Sequence, residues 1–279
     1  MKILPVFLLL VLGCSGTAQT LQETIRFVNS EATLEGKLFI PAGAEEAPLV
    51  VFVHGSGRAT RDDYDNIARK LQSVGYATFQ YDKRGVGNSG GTFYEVGTYN
   101  STERIPLLAS DAAAAIRTLS KHERINKEKI VVMGGSQAGW IIPVVASMVD
   151  VAATVMISGP TVSVGEEIFY SELAENGKYP QDEADGMLKD FHGDRGFDNI
   201  GYVAKLTKPS LWIFGGKDVS IPVKKCVARL DSTKTAARIP SDIRIYPDAD
   251  HGIYNRSKNQ WEDFVTFTIE WLDRVIARR

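Results

Sequence analysis

The sequence predicts an α/β fold: a mostly parallel sheet with antiparallel strands at its N-terminal end, helices on both faces and a short helical insertion late in the chain. Three patterns point to it. Short runs that are apolar on both faces, led by residues 49–53, read as central strands of a parallel sheet covered by helices. These runs alternate with segments of helical spacing. Ahead of them, two segments alternate apolar and polar residues around Asn29-Ser30, as a half-exposed antiparallel pair does.

The elements follow in order. Residues 24–28 and 33–40 form the antiparallel pair, and 41–48 is a polar loop with Pro and Gly. The strand 49–53 stops at His54-Gly55. Residues 62–74 set Ile67, Leu71 and Val74 on one helix face. Residues 76–81 are the next strand, 106–119 an Ala-rich helix, 129–133 a strand and 139–148 a helix. Later strands are 153–157, 210–214 and 243–246. Residues 260–276 read as an amphipathic closing helix bearing Trp261, Phe264, Phe267, Trp271 and Leu272. The stretch 162–204 breaks the alternation: it is polar and helix-leaning with scattered glycines, and reads as an insertion above the sheet.

A chain of 279 residues with 44% hydrophobic content supports one sizeable core and does not demand two domains. Its formal net charge of −2 offers no electrostatic footprint for nucleic acid, so no nucleic-acid partner is expected. Lys2 precedes an apolar run, 3–12, interrupted only by Pro5, and then comes Gly13-Cys14-Ser15-Gly16-Thr17-Ala18. This is the layout of an export signal, too short to span a bilayer comfortably. Residues 11–14 resemble the lipobox of bacterial lipoproteins, with Leu12 where a small residue is usual. By that route Cys14 carries lipid and tethers the chain to a membrane; by the other, a signal peptidase cuts after Ala18. The expectation is a signal over 1–18, a folded domain over 19–279, and an exported protein that is periplasmic, secreted or lipid-anchored. Cys226 is then left unpaired, without a disulfide framework, and reads as a structural thiol on a helix face.

The strongest chemical signal is Ile130-Val131-Val132-Met133-Gly134-Gly135-Ser136-Gln137-Ala138-Gly139-Trp140: a buried strand, small residues around a serine, then a helix. A serine hydroxyl is a poor nucleophile at neutral pH. It needs exposure, a neighbouring base and donors for the oxyanion it creates. A sharp strand-to-helix turn exposes it and aims backbone N–H groups at the developing charge. The segment resembles the nucleophile elbow of α/β-hydrolases, G-x-S-x-G, with Ala138 in place of the second glycine.

The resemblance extends over nearly the whole mature chain. It implies the α/β-hydrolase fold, with 162–204 as a short helical cap. His54-Gly55-Ser56-Gly57 resembles the family's oxyanion loop, so the backbone N–H groups of Ser56 and Gln137 are the expected oxyanion donors. Gly85, Gly87 and Gly90 formally match a dinucleotide fingerprint after a strand, but Gly91-Thr92-Phe93-Tyr94 does not open a helix. The same segment resembles the family's loop after the fourth strand, where Asp82, Arg84 and the glycines brace the active-site floor. His251, between the last strand and the closing helix, stands where the family places its catalytic histidine; His54, His122 and His192 fit worse. Asp218 in Gly215-Gly216-Lys217-Asp218 resembles the family's acid, while Asp248 and Asp250 are awkwardly close in sequence to His251. Ser136, Asp218, His251 is the order of the fold.

The implied function is a serine hydrolase acting on a small-molecule ester through an acyl-enzyme, similar to small carboxylesterases and to dienelactone-hydrolase-like and serine-aminopeptidase-like groups. The short insertion favours short acyl chains. A peptidase or amidase, an acyltransferase, and a non-catalytic binding module on the same fold stay open. Trp140, Tyr94 and Tyr254 are the expected substrate-binding residues. Glu166, Glu167, Glu172 and Glu175 read as the solvated face of the insertion, with the capture of a substrate amine as the rival reading. Arg58 and Arg61 read as solvated surface residues, with contact to a substrate carboxylate as the rival reading. Few, scattered histidines and the lack of a paired-cysteine or H-E-x-x-H motif give no support to a metal or other cofactor.

Overall fold

The computed structural model of the protein describes residues 20–276, so the expected signal and Cys14 lie outside the described residues. Strands β1 (Leu21–Asn29) and β2 (Ala32–Ile40) pair antiparallel, with Asn29 opposite Ala32 across a tight turn that holds Ser30 at φ 51°. Then come β3 (Ala47–Val53), helix α1 (Asp65–Ser73), β4 (Ala77–Tyr81), α2 (Ser101–Leu119), β5 (Ile125–Gly135), α3 (Ala138–Met148) and β6 (Ala153–Ile157). After the helical insertion follow β7 (Ser210–Gly215), α7 (Val223–Ala237), β8 (Ser241–Tyr246), the short strands β9 (Tyr254–Asn255) and β10 (Gln260–Trp261), and α8 (Phe264–Ile276). Eight strands form one sheet in the order β1-β2-β4-β3-β5-β6-β7-β8; β2 meets β4 antiparallel and every pairing from β4 to β8 is parallel.

The central strands are apolar on both faces because both faces are covered. Along β3, Leu49, Val51 and Val53 join a core with Ile105, Ala109 and Ile116 of α2, Ile141 and Val145 of α3, and Leu230 of α7. Val50 and Phe52 point the other way, into a core with Leu71 of α1 and Trp271 and Leu272 of α8. The period of two along each strand thus divides one apolar run between two cores. Cys226 lies fully buried in the first core, and burial pushes its thiol up to about 11, consistent with a structural role.

Two predicted boundaries move. Helix α2 begins at Ser101, not 106, and carries Pro106 inside it, a residue that ordinarily marks a helix start or break. Gln260-Trp261 does not belong to the closing helix: it pairs with Tyr254–Asn255, and Trp261 is 68% exposed. The Asp263 carboxylate accepts the Thr266 N–H, an N-cap contact that starts α8 at Phe264.

Between β6 and β7 lie α4 (Val164–Ala174), α5 (Gln181–Met187) and α6 (Ile200–Val203). Ser163 and Glu166 form a reciprocal capping box at the start of α4. Tyr170, Leu173, Ala174, Ala184 and Leu188 make a small core of their own. Glu166 departs from the solvated face expected for it. It is 3% exposed, and its carboxylate meets Lys225 at 2.7 Å and Arg195 at 2.8 Å, which ties α4 to α7. Glu172 is exposed, as expected.

Candidate active site

Strand β5, in the middle of the sheet, delivers Ser136 just past its C-terminal end, and α3 begins two residues later. Ser136 has φ 55°, a left-handed conformation that costs a non-glycine residue about 1 kcal/mol or more and is found where the surrounding structure enforces it. The enforcement is visible. Ser136 N–H donates to the Ile157 carbonyl at 2.8 Å, and Gly135 N–H donates to Tyr64 Oη at 3.0 Å. Tyr64 in turn donates to the Val53 carbonyl at 3.2 Å, joining the ends of β3 and β5. A Cβ on Gly134 would stand 2.2 Å from the Val53 oxygen and 2.6 Å from the Ala138 methyl. Position 134 therefore tolerates only glycine, and all the more so because position 138 carries a methyl group.

Asp218 and His251 come from the loops after β7 and β8, and backbone contacts lock these loops together. Gly216 N–H donates to the Tyr246 carbonyl and Lys217 N–H to that of Ala249, both at 2.8 Å. Asp218 is fully buried. Its Oδ2 lies 2.7 Å from His251 Nδ1, and its Oδ1 accepts the N–H groups of Ser220 at 2.8 Å and Ile221 at 3.1 Å. Asp248 is exposed, and Asp250 braces its own loop by accepting the Gly252 and Tyr254 N–H groups and Arg256 Nε. Neither rival reaches the imidazole as Asp218 does. The turn after β6 serves both halves of the site: Ile157 holds Ser136, while Ser158 Oγ donates to the His251 carbonyl at 2.7 Å.

Burial favours the neutral His251 ring, but the hydrogen bond and charge of Asp218, helped by the charges of Glu167 and Glu175, outweigh it and raise the imidazole pKa. Glu167 on α4 is half-buried and makes no ion pair among the described residues. Burial pushes its carboxyl up to about 7, with the charges of Glu175 and Asp218 adding to the rise and that of His251 opposing it.

The expected oxyanion loop follows β3. A Cβ on Gly55 would lie 3.5 Å from Ser136 Cβ, so this loop borders the serine directly. His54 is 2% exposed, its Nε2 is bonded to the Tyr81 carbonyl and burial lowers its pKa; it orders the loop from beneath. Lys83, 3% exposed, donates to the carbonyls of Gly55 and Gly57 and to Gln137 Oε1. Burial lowers its ammonium to about 8. Around it the 82–90 loop is braced as expected: Asp82 accepts Arg61 and the Asn88 N–H, and Arg84 pairs with Asp111 of α2. Arg61 is also bound to Glu35 and is no free surface cation, while Arg58 is exposed and lies 5.1 Å from the Phe93 ring centroid.

Of the expected substrate-binding residues, Trp140 is corrected. It is 4% exposed, belongs to the core and donates its indole N–H to the Val162 carbonyl at 2.8 Å, so it supports the start of the insertion and offers no wall to a ligand. Tyr94 is 47% exposed, with the Arg104 guanidinium 3.8 Å from its ring centroid. Tyr254 sits in the β9–β10 hairpin, its hydroxyl donating to Asn259 and its ring edge-on to Trp261. Tyr64, Lys83 and Ser158 are the residues whose place at the site the motifs did not disclose; of the four insertion glutamates, Glu167 and Glu175 are those whose charges act on His251. Among the described residues, no cluster of three or more His, Cys, Asp or Glu is arranged to hold a metal ion.

The model of the prolyl oligopeptidase family matches residues 63–279. The chain belongs to the prolyl oligopeptidase family. Esterase EstD of Thermotoga maritima is similar to it in sequence: the two are 28% identical over 220 residues, 68% of this chain and 51% of the relative. The chain thus spans about half the length of the curated relative it matches. Among solved structures, an esterase of Pyrococcus furiosus superimposes with a TM-score of 0.66 at 18% identity, covering 92% of each chain. The acylaminoacyl peptidase of Pyrococcus horikoshii does so with a TM-score of 0.70 at 18% identity, covering 92% of this chain and 42% of that one. With the eight-stranded sheet, these likenesses establish the α/β-hydrolase fold of this prolyl oligopeptidase family member.

Proposed function

We propose that this prolyl oligopeptidase family member is a serine hydrolase that cleaves short-chain carboxylic esters. One observation carries the reading: a left-handed Ser136 at a strand–helix turn shares the β6 turn with His251, whose Nδ1 lies 2.7 Å from buried Asp218. Ser136 Oγ attacks the ester carbonyl as His251 Nε2 takes its proton. Asp218 holds the imidazole with its proton on Nδ1 and stabilises the imidazolium. The backbone N–H groups of Ser56 and Gln137 receive the oxyanion. His251 then protonates the departing alcohol, and water repeats the cycle on the acyl-enzyme. The relative named as an esterase supports an ester as substrate.

The purified protein should label at Ser136 with a fluorophosphonate probe, and Ser136→Ala should lose the label. A folded wild-type protein that takes no label would refute the mechanism and leave a binding module on the same fold. Glu167, whose charge acts on His251 and which makes no ion pair among the described residues, favours a second reading, in which the acyl or amine part of an amide substrate carries a positive charge. Rates on matched ester and amide substrates separate the two. Export belongs to the same proposal and rests on the pattern of residues 1–18. Mass spectrometry of the mature N-terminus distinguishes a lipidated Cys14 from cleavage after Ala18.

A further inference from the structure

We propose that Lys83 is a positioning residue for the oxyanion hole, holding both donor-bearing loops in one arrangement through a single buried ammonium. The inference rests on the ester-hydrolase reading and concerns how its two N–H donors are aimed. An ammonium has three protons and no acceptor. Here all three are committed: to the Gly55 carbonyl at 2.7 Å, the Gly57 carbonyl at 3.3 Å and Gln137 Oε1 at 3.0 Å. Gly55 and Gly57 flank Ser56, the source of one donor, and Gln137 is the source of the other. Gly57 is at φ 78°, a conformation the adjoining tie helps to hold. One atom therefore ties together two loops that lie 28 and 54 positions from it in sequence, just beyond the paired ends of β3 and β5.

The charge is as informative as the hydrogen bonds. Burying a cation is costly unless something compensates it. Among the described residues Lys83 has no carboxylate partner, because neighbouring Asp82 is already bound to Arg61 and to the Asn88 N–H. The Phe93 ring, 5.7 Å from Nζ, adds a weak cation–π contact only. A tie needed for folding alone would be served by a neutral group. A buried positive charge behind two N–H donors instead lowers the energy of a negative charge that forms in front of them, and only while it is there.

Such a residue acts on the transition state and not on ground-state binding. Lys83→Met should lower kcat about 10- to 100-fold and leave KM within about twofold. The variant should bind a trifluoromethyl ketone, which forms a tetrahedral oxyanion adduct with the serine, more weakly by the factor lost in kcat. Lys83→Arg, which keeps the charge, should recover part of the loss. Gln137→Leu keeps the backbone N–H but removes the Oε1 acceptor, and should show the same pattern at about 3- to 10-fold. Full kcat in folded Lys83→Met, or a loss confined to KM with unchanged ketone affinity, overturns the proposal. If Lys83→Met does not fold, undiminished kcat in Gln137→Leu overturns it. Fluorophosphonate labelling of the wild type separates the failures: a labelled enzyme indifferent to both changes sinks only this inference, and an unlabelled one sinks the hydrolase reading with it.

Discussion

Asp218→Asn isolates the orienting acid with almost no change of shape. Oδ1 of Asp218 receives two backbone N–H groups, from Ser220 at 2.8 Å and Ile221 at 3.1 Å, and Oδ2 faces His251 Nδ1 at 2.7 Å. An asparagine must choose which end points where. Turning its NH2 toward Ser220 and Ile221 would set donor against two donors in a fully buried place, at about 1–3 kcal/mol for each group left unsatisfied. The amide oxygen therefore stays with the backbone, and the NH2 faces His251. An NH2 group donates, so it selects the tautomer with the proton on Nε2, the nitrogen that must take the Ser136 proton. The variant also loses the charge that stabilises the imidazolium. The expected loss in kcat is about four orders of magnitude, the scale of the same change in a serine protease triad. Initial rates on p-nitrophenyl acetate, with circular dichroism to show a native fold, measure it. A folded Asp218→Asn enzyme within about tenfold of wild type would refute the assignment of the acid and the tautomer reasoning together.

Three further outcomes follow from the same geometry. Catalysis needs neutral His251, whose raised pKa sets the acid limb of kcat/KM. Glu167→Gln removes one of the charges raising it, so that limb should move to lower pH, and an unmoved profile would remove Glu167 from the site. Gly215→Ala puts a Cβ 2.1 Å from the Asp250 oxygen, so it should push the His251 loop away and cut kcat at least about tenfold, while circular dichroism stays native. Glu166→Gln weakens charged hydrogen bonds to partly exposed partners and should lower stability by about 2 kcal/mol in urea titrations near neutral pH. Burial opposes ionisation of Glu166, but hydrogen bonds from Lys225 and Ser163 hold its carboxyl down at about 2, well below the ordinary 4.5. Its contribution is therefore present above pH 4.5 and fades as pH falls toward 2, so the gap between wild type and variant should close over that window.

What the sequence disclosed, and what it hid, divides along the range of the interactions. Strands such as β3 and β6 were legible because a run apolar on both faces has few other places to go. The elbow around Ser136 was legible because its defining small residues lie within five positions, and the structure adds the holds from elsewhere: Gly134 against Val53, Ser136 N–H on Ile157 and Gly135 N–H on Tyr64. Lys83 was hidden, since its partners Gly55 and Gln137 lie 28 and 54 positions away. So was the place of Glu167, because acidic residues on a polar helix look alike until the helix is docked. Trp140 misled for a related reason: four residues after the serine it reads as a wall of the site, yet α3 is enclosed on nearly every side, and the indole faces inward. Pro106 hid the first turn of α2, because local propensity ends a helix there and tertiary packing does not.

The turn after β6 has a mechanical consequence. Ile157 grips the nucleophile loop and the very next residue grips the histidine loop, so both hang from one short piece of backbone, itself fastened to β7 by the Ser158 N–H at 2.7 Å from the Ile213 oxygen. A displacement of β6 is thereby passed to both loops at once and not to one of them alone. Drift common to both partners is tolerated and only differential drift is harmful. A chain suspended in this way can accumulate core substitutions under β6 while keeping its nucleophile and base in step.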